Sequence, residues 1–361
     1  MRIKRIDILP LAAPLDRPFH WSTGTGSVRR TTLVRVHTAR GVTGWGETLD
    51  PHAAAILSDE VLEAFTGIEV EGGDISLSAV RNKLVHNGAP ERATTAALGA
   101  VDCAIWDAFS REAERPLASL LHLSRAASVP VYASGIYYGE DVPAVEAAGY
   151  VSKGFTRVKM KIGRLPVALE SQRIAVVREA IGSAVLMTDA NSAYDLPTAL
   201  AIAGVLRDSN VLWLEEPFHP ERTDLYLRLR AQSHVSVAAG ESLDAPMLRR
   251  LSDCHAVDWI QPNVTAAGGI ADTLSVASAA YDRGIGVALH AWGSPIMTAT
   301  LLQVAAAISP DVMVEIDQTA NPLRAIAPDP ARFLTGGNVL LGDAAGIGID
   351  VDEATVKAFC I

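Results

Sequence analysis

The residues with chemical capacity recur along this chain at a near-constant interval. They are Lys159 and Lys161, then Asp189, Glu215, Glu241, Asn263, His290 and Glu315. From Lys161 onward, neighbours in this series are 22 to 28 residues apart. Lys159 and Lys161 alternate with Val158, Met160 and Ile162, so 157–163 reads as a strand with its apolar side chains on one face and both ammonium groups on the other. Positions two apart on a strand lie about 6.6 Å apart. Two cations inside a sheet are costly unless paired or used. Each lowers the other's pKa, which is one route to a lysine that acts as a base near neutral pH. An amphipathic edge strand with solvated lysines would show the same local pattern.

Asp189, Glu215 and Glu241 change that balance. Brought together, three carboxylates repel unless a cation joins them. All-oxygen ligation with open positions suits a hard dication such as Mg²⁺. Any one of these acids alone could be a helix cap or a surface group. Glu216 follows Glu215 and on an extended chain should point away from it, as a support for the ligand.

Such a series needs a scaffold that brings one residue from each unit to a common place. From Val129 the texture is strand–helix alternation, with strand candidates at 129–134, 157–162, 184–188, 211–214, 235–239, 256–261, 286–289 and 312–316. Helices fill the gaps, several opened by Asp and Pro: Asp141 with Pro143, Asp195 with Pro197, Asp244 with Pro246. Eight such units suggest a (β/α)8-type barrel, although no usual final helix follows the eighth strand. A doubly wound sheet usually has fewer strands and a phosphate-binding glycine turn. Gly24-Thr25-Gly26 lacks the third glycine and opens no helix. In a barrel the series falls in a ring at the C-terminal mouth, where that fold builds its chemistry.

Ahead of the barrel, 3–11, 32–37 and 43–47 read as a β-meander with a turn at Arg40-Gly41. Between the first two strands, 17–26 is Gly-rich, and 17–30 is expected to be a loop that closes over the mouth. Residues 51–115 read as helical. The clearest helix, 93–113, has Leu98, Val101, Ile105, Trp106 and Phe109 at helical spacing. The expected division is an α+β capping domain over 1–125, the barrel over 126–317, and a segment 318–361 that returns to the cap.

The 361 residues carry a net charge of −10, with no basic block. Nucleic acid and anionic membranes are therefore not expected partners. No apolar run follows Met1-Arg2-Ile3-Lys4-Arg5, so no secretory leader is expected. The longest apolar stretch, 295–309, is interrupted by Thr298, Thr300 and Gln303 and suits a buried helix. Cys103, Cys254 and Cys360 are far apart with no CxxC, which fits a reducing cytoplasm.

The combined set resembles the enolase superfamily, in its mandelate racemase-like group. The motifs are Lys159-x-Lys161, Asp189-Ala190-Asn191, Glu215-Glu216-Pro217, Gly240-Glu241, Gln261-Pro262-Asn263 with Gly268-Gly269, His290 and Glu315, with a cap stretch 97–107. Within the group, 213–217, His290-Ala291-Trp292-Gly293 and Glu315-Ile316-Asp317 through Asn321-Pro322 look most like sugar-acid lactone cycloisomerases and acid-sugar dehydratases.

That resemblance implies a small carboxylate substrate, Mg²⁺ held by Asp189, Glu215 and Glu241, and removal of the proton α to the carboxylate to give an enediolate. A Lys or His base acting with Mg²⁺ is established for that superfamily. It makes Lys161 the base on one face and His290 the acid/base on the other. Lys159 would contact the substrate carboxylate and depress Lys161, and Glu315 would donate a hydrogen bond to it. β-Elimination or cycloisomerisation of a sugar acid or its lactone is the expected reaction, by a homo-oligomer. A racemase or epimerase, or an inactive barrel that binds a partner, are the alternatives.

Asn263 departs from the pattern, which usually has Asp there to orient and charge the histidine. Asn can bond an imidazole NH but brings no charge, so it supports a weaker base. Asp258 could substitute only if the strand geometry allowed. Asn191, His20, Trp21, His52, Tyr137 and Trp292 are the candidates for substrate contact, with simple packing as the other explanation for the aromatic and histidine members. Arg29-Arg30 is expected to be a solvated pair flanking a strand.

Overall fold

The computed structural model describes residues 1–73, 76–121, 126–139 and 142–361. The expected helix opening at Asp141 and the expected domain boundary at 125 lie outside the described residues.

Eight parallel strands close into a barrel: β4 (Ser128–Ile136), β5 (Arg157–Lys161), β6 (Val185–Asp189), β7 (Val211–Glu215), β8 (Ser236–Ala239), β9 (Trp259–Ile260), β10 (Gly286–Leu289) and β11 (Met313–Asp317). β11 pairs back onto β4 through Val314↔Val131 to Asp317↔Ser134, which leaves no open edge. Each falls on an expected strand, the sixth reduced to two residues. Alternation decides which side chains enter. On β5, Val158 and Met160 pack outward among the helices while Lys159 and Lys161 enter the barrel. Below the lysines the interior is plugged by Tyr132, Met187, Trp213, Ala238, Ala288 and Met313. Polar groups therefore gather at one end over an apolar floor. Two of the expected helix caps form: Asp195 accepts from the Thr198 amide and Asp244 from the Met247 amide, each with proline in the first turn.

The cap is an antiparallel sheet of β1 (Ile3–His20), β2 (Thr25–Thr38) and β3 (Thr43–Thr48), laid on the helix Glu91–Glu112. Gly46 permits that contact, because a Cβ there would sit 2.1 Å from the Ala100 carbonyl oxygen. The turn between β2 and β3 runs through Gly41 at φ 83°, a backbone state that glycine adopts freely. Two buried acids tie cap to barrel. Glu47 accepts from Thr31 Oγ1, the Ser294 amide and hydroxyl, and the Met297 amide, and so caps the helix Pro295–Ile308. Asp102 accepts from the Ile270 amide at 2.7 Å.

The 17–30 segment corrects the expectation of a loop. β1 runs on to His20 and β2 starts at Thr25, so this is a ribbon with only residues 21–24 at its tip. Cross-strand hydrogen bonds stabilise what the glycines alone would not. The ribbon is stitched to the barrel by reciprocal backbone bonds between His20 and Tyr138.

After β11 two short 3₁₀ turns, Pro322–Ile326 and Pro330–Phe333, stand where a final barrel helix would be. The strand Asn338–Leu340 pairs antiparallel with β4, and the chain end returns to β1 through the Ile361 amide and the Pro10 carbonyl. No helix among the described residues is long and apolar enough to cross a membrane.

Candidate active site

The strand ends bring the ring together. Ligand oxygens of Asp189, Glu215 and Glu241 lie within 4.8 Å of one another. Lys159, 1% exposed, donates to Glu215 Oε1 at 2.7 Å and lies 3.1 Å from Glu315 Oε1 and 3.8 Å from Asp189 Oδ2. Lys161 donates to Asp189 Oδ2 and to Asn191 Oδ1, the latter at 2.8 Å. Glu215 is held from below by Trp213 Nε1 at 3.2 Å and Gln261 Nε2 at 2.6 Å.

The electrostatics correct one expectation. Burial pulls both ammonium groups down, but the carboxylates reverse it: Asp189 beside Lys161, and Glu215 and Glu315 beside Lys159, leave both above the ordinary lysine value. The carboxylates on nearby strands outweigh the like charge two residues away. Burial, then Asp189, raises the Glu215 carboxyl well above the usual range.

Glu216 is also corrected. Its φ of 36° breaks the extended chain, so it does not simply point away. Its carboxyl is buried, and the charges of Glu241 and Asp189 add to burial in raising its pKa. Oε1 of Glu216 has no partner among the described residues. Asn191 at φ 39° and Ser192 at φ 65° share this backbone state one strand away. Strain of this kind persists where the surroundings hold it.

These facts test whether the donor set fits a metal. Four carboxylates (Asp189, Glu215, Glu241 and Glu315) interact here with two ammonium groups, and a fifth, Glu216, faces three of those acids. A deficit of positive charge and an orphaned carboxylate oxygen are what an oxygen-ligated dication would satisfy. The residues fit a metal.

His290 faces this cluster with Nε2 3.2 Å from Glu241 Oε2 and 3.8 Å from Glu315 Oε2. Its Nδ1 is buried without a partner among the described residues. Asn263 does not supply one, against expectation. Its Oδ1 accepts from the Thr265 amide and hydroxyl and the Ala266 amide, capping the short helix Val264–Ala267, while Nδ2 reaches only the His290 carbonyl oxygen at 3.4 Å. Asp258 is no substitute, because it pairs with Arg230 and accepts from the Val237 amide.

A cavity of about 390 Å³ opens on Lys161, Asn191, Glu241, His290 and Glu315, and is walled by Phe19, Trp21, Tyr137 and Trp292. The rings interlock, with Phe19 5.1 Å from Tyr137 and 5.5 Å from Trp292 between centroids. Hollows of about 920 and 580 Å³ are larger, but neither borders the lysines, the acid triad or His290. Chemistry rather than size selects the site.

Of the aromatic and histidine candidates, Trp21, Tyr137 and Trp292 border this cavity, and His20 and His52 do not. At the end of β1 Phe19 faces the mouth, as does Trp21 at the ribbon tip, while His20 turns away, where Nδ1 meets Thr25 Oγ1 at 2.7 Å. His52 lines a surface hollow of the cap with Ala55, Ile56 and Leu84. Six residues outside the candidate set also border the cavity, among them Phe19, Arg29 and Arg30. Arg29 is 4% exposed, so only Arg30 of the expected solvated pair is exposed. Its phase on β2 gives no signal, since exposed Arg30 stands in the same relation to buried Thr32 and Val34 as Arg29 does to Thr31 and Leu33.

Comparison with known proteins agrees with this geometry. Residues 5–122 match the family pattern "Mandelate racemase / muconate lactonizing enzyme, N-terminal domain", and residues 143–355 match "Enolase C-terminal domain-like". The chain is 31% identical to a D-galactarolactone cycloisomerase of Agrobacterium fabrum over 99% of both chains. It is 28% identical to an arabinonate dehydratase of Saccharolobus solfataricus over 73% of this chain and 72% of that one. Among solved structures, the 3,6-anhydro-D-galactonate cycloisomerase of Zobellia galactanivorans superposes with a TM-score of 0.89 at 29% identity, over the whole of both chains.

Proposed function

We propose that this chain, which belongs to the mandelate racemase/muconate lactonizing enzyme family, is a Mg²⁺-dependent lyase or isomerase that removes the proton α to the carboxylate of a sugar acid or its lactone. One observation carries the reading. Lys161 and His290 border a single cavity, with the oxygens of Asp189, Glu215 and Glu241 gathered beside them. The relatives named above act on sugar acids and lactones, which supports the substrate class.

Asp189, Glu215 and Glu241 would hold the metal, with Glu216 behind them. A bound Mg²⁺ would supply two positive charges, engaging the carboxylates that pair the lysines and opposing negative charge on the substrate carboxylate. Lys159 lies deepest and orients that carboxylate together with Glu315. Lys161 in its neutral form takes the α-proton, and the C–H electron pair moves into the carboxylate. When the pair returns it expels the β-oxygen, which in elimination takes its proton from His290. The aromatic wall and the ribbon keep water away from the intermediate. With its three cysteines free, the protein is assigned to a reducing cytoplasm, and a homo-oligomeric state belongs to the same proposal.

The test is solvent-deuterium exchange at the α-carbon over an acid-sugar and lactone library, with Mg²⁺ or with EDTA. Exchange should appear with Mg²⁺ and vanish with EDTA or in Asp189→Asn. Unchanged activity in EDTA would end the metal reading, and no exchange with any acid would favour a binding protein.

A further inference from the structure

Arg29 is the buried charge that this reaction leaves without a task. Its Nε donates to the Ala320 carbonyl at 3.1 Å, and Nη2 donates to Asp317 Oδ2 at 3.0 Å and to Thr319 Oγ1. The guanidinium carbon lies 3.9 Å from the centroid of Trp292 and 5.0 Å from that of Phe19. Nη1 is buried with no partner among the described residues. Leaving a buried, charged donor unpaired is costly, so its persistence calls for an acceptor.

The placement shows where that acceptor would come from. Asp317 follows Glu315 by two on β11, which sets the ion pair of Arg29 about one pleat farther out than Glu315, and Trp292, beneath the guanidinium, lies in the loop just beyond His290. The charge balance shows its kind. Asp317 is shared between Arg29 at 3.0 Å and Arg324 at 3.3 Å, two cations on one carboxylate. Arg30 borders the same cavity and has no carboxylate partner among the described residues. This end of the cavity is short of negative charge, whereas the metal end is short of positive charge.

We propose that Arg29 is a specificity-determining residue whose Nη1 binds a second carboxylate at the far end of the substrate. The substrate class is then a dicarboxylic sugar acid or its monolactone, rather than a monocarboxylic one. This rests on the function proposed above, but binding can be measured without turnover.

The experiment is calorimetric titration of the full chain in Mg²⁺ with aldarates paired with aldonates of the same configuration, alongside α-proton exchange. The unsubstituted protein should bind the best aldarate at least about 10-fold more tightly than its aldonate, as expected of a charge-assisted bond worth about 1.5–3 kcal/mol. Arg29→Lys keeps a cation for Asp317 but removes the fork, and should erase most of that preference. Arg29→Met should erase it as well, with circular dichroism checking that the chain remains folded. Equal or reversed preference in the unsubstituted protein overturns the proposal, as does equal weakening of both ligands by Arg29→Lys or absence of binding by either. Aldarate preference without any exchange leaves Arg29 standing and removes the proposed reaction. Exchange confined to aldonates does the reverse.

Discussion

The Lys161 and His290 sides of the cavity are built in opposite ways. On one side Lys161 is held by Asp189 and Asn191, and the strand that carries it also carries Lys159, clamped between Glu215 and Glu315. On the other side His290 meets Glu241 and Glu315 through Nε2 alone, and its inner nitrogen has no partner among the described residues. A histidine that serves as a strong base usually has an acid behind it to fix its tautomer and stabilise its charge. This asymmetry supports the proposed roles, in which Lys161 takes and returns the proton and His290 donates one. Two equal bases, as racemisation in both directions requires, are not what this asymmetry supports.

The largest effect should come from Lys161→Ala. Both turnover and α-proton exchange should disappear, since general-base catalysis contributes about 10²–10⁴-fold and no second base stands on that side. Thermal unfolding should accompany the assay, because removing one partner of a buried ion pair can cost about 3–5 kcal/mol. A Lys161→Ala protein that is folded and still exchanges the proton would break the comparison.

His290→Asn separates the two sides. Turnover should fall by about 10²-fold or more through loss of the acid. Exchange should persist within about 10-fold of the unsubstituted protein, because Lys161 can remove the proton and return it. NMR in D₂O with the true substrate measures both. Loss of exchange here, with exchange kept in Lys161→Ala, would reverse the assigned roles.

Much of this asymmetry is legible in the sequence, and two of the illegible parts share a cause. The ring could be read because one βα unit has a nearly fixed length, so spacing alone places Asp189, Glu215 and Glu241 on successive strand ends. The lysine pKa could not be read, because Asp189 and Glu215 are 28 and 56 residues from the lysines they pair with and outweigh the neighbour two residues away. Arg29 looked solvated because its burial is produced by the ribbon docking on Trp292, a contact 263 residues distant in sequence. Asn263 differs for another reason. The family resemblance implied a partner for His290 at this position, while the cap signal, Asn ahead of a short helix ended by Gly268-Gly269, is present in the sequence.

Asn263 carries the smallest predicted effect and the finest test. If Asn263 were a weakened version of a catalytic acid, Asn263→Asp would restore the charge behind His290 and create a second base. The geometry argues otherwise. Oδ1 of residue 263 is committed to two amides and a hydroxyl at the start of Val264–Ala267, and Asp caps a helix as well as Asn does. The substitution removes only the long Nδ2 bond to the His290 carbonyl, while the new charge sits favourably at a helix start. Stability should change by no more than about 1 kcal/mol, and kcat by only a few-fold. His290→Asn combined with Asn263→Asp should exchange the proton just as His290→Asn alone does. The decisive readout is exchange into the substrate's α-epimer, which Lys161 cannot reach from its side. Its appearance in Asn263→Asp would mean that the side chain had left the cap to charge the imidazole, and that one carboxylate is all that separates this site from a two-base racemase.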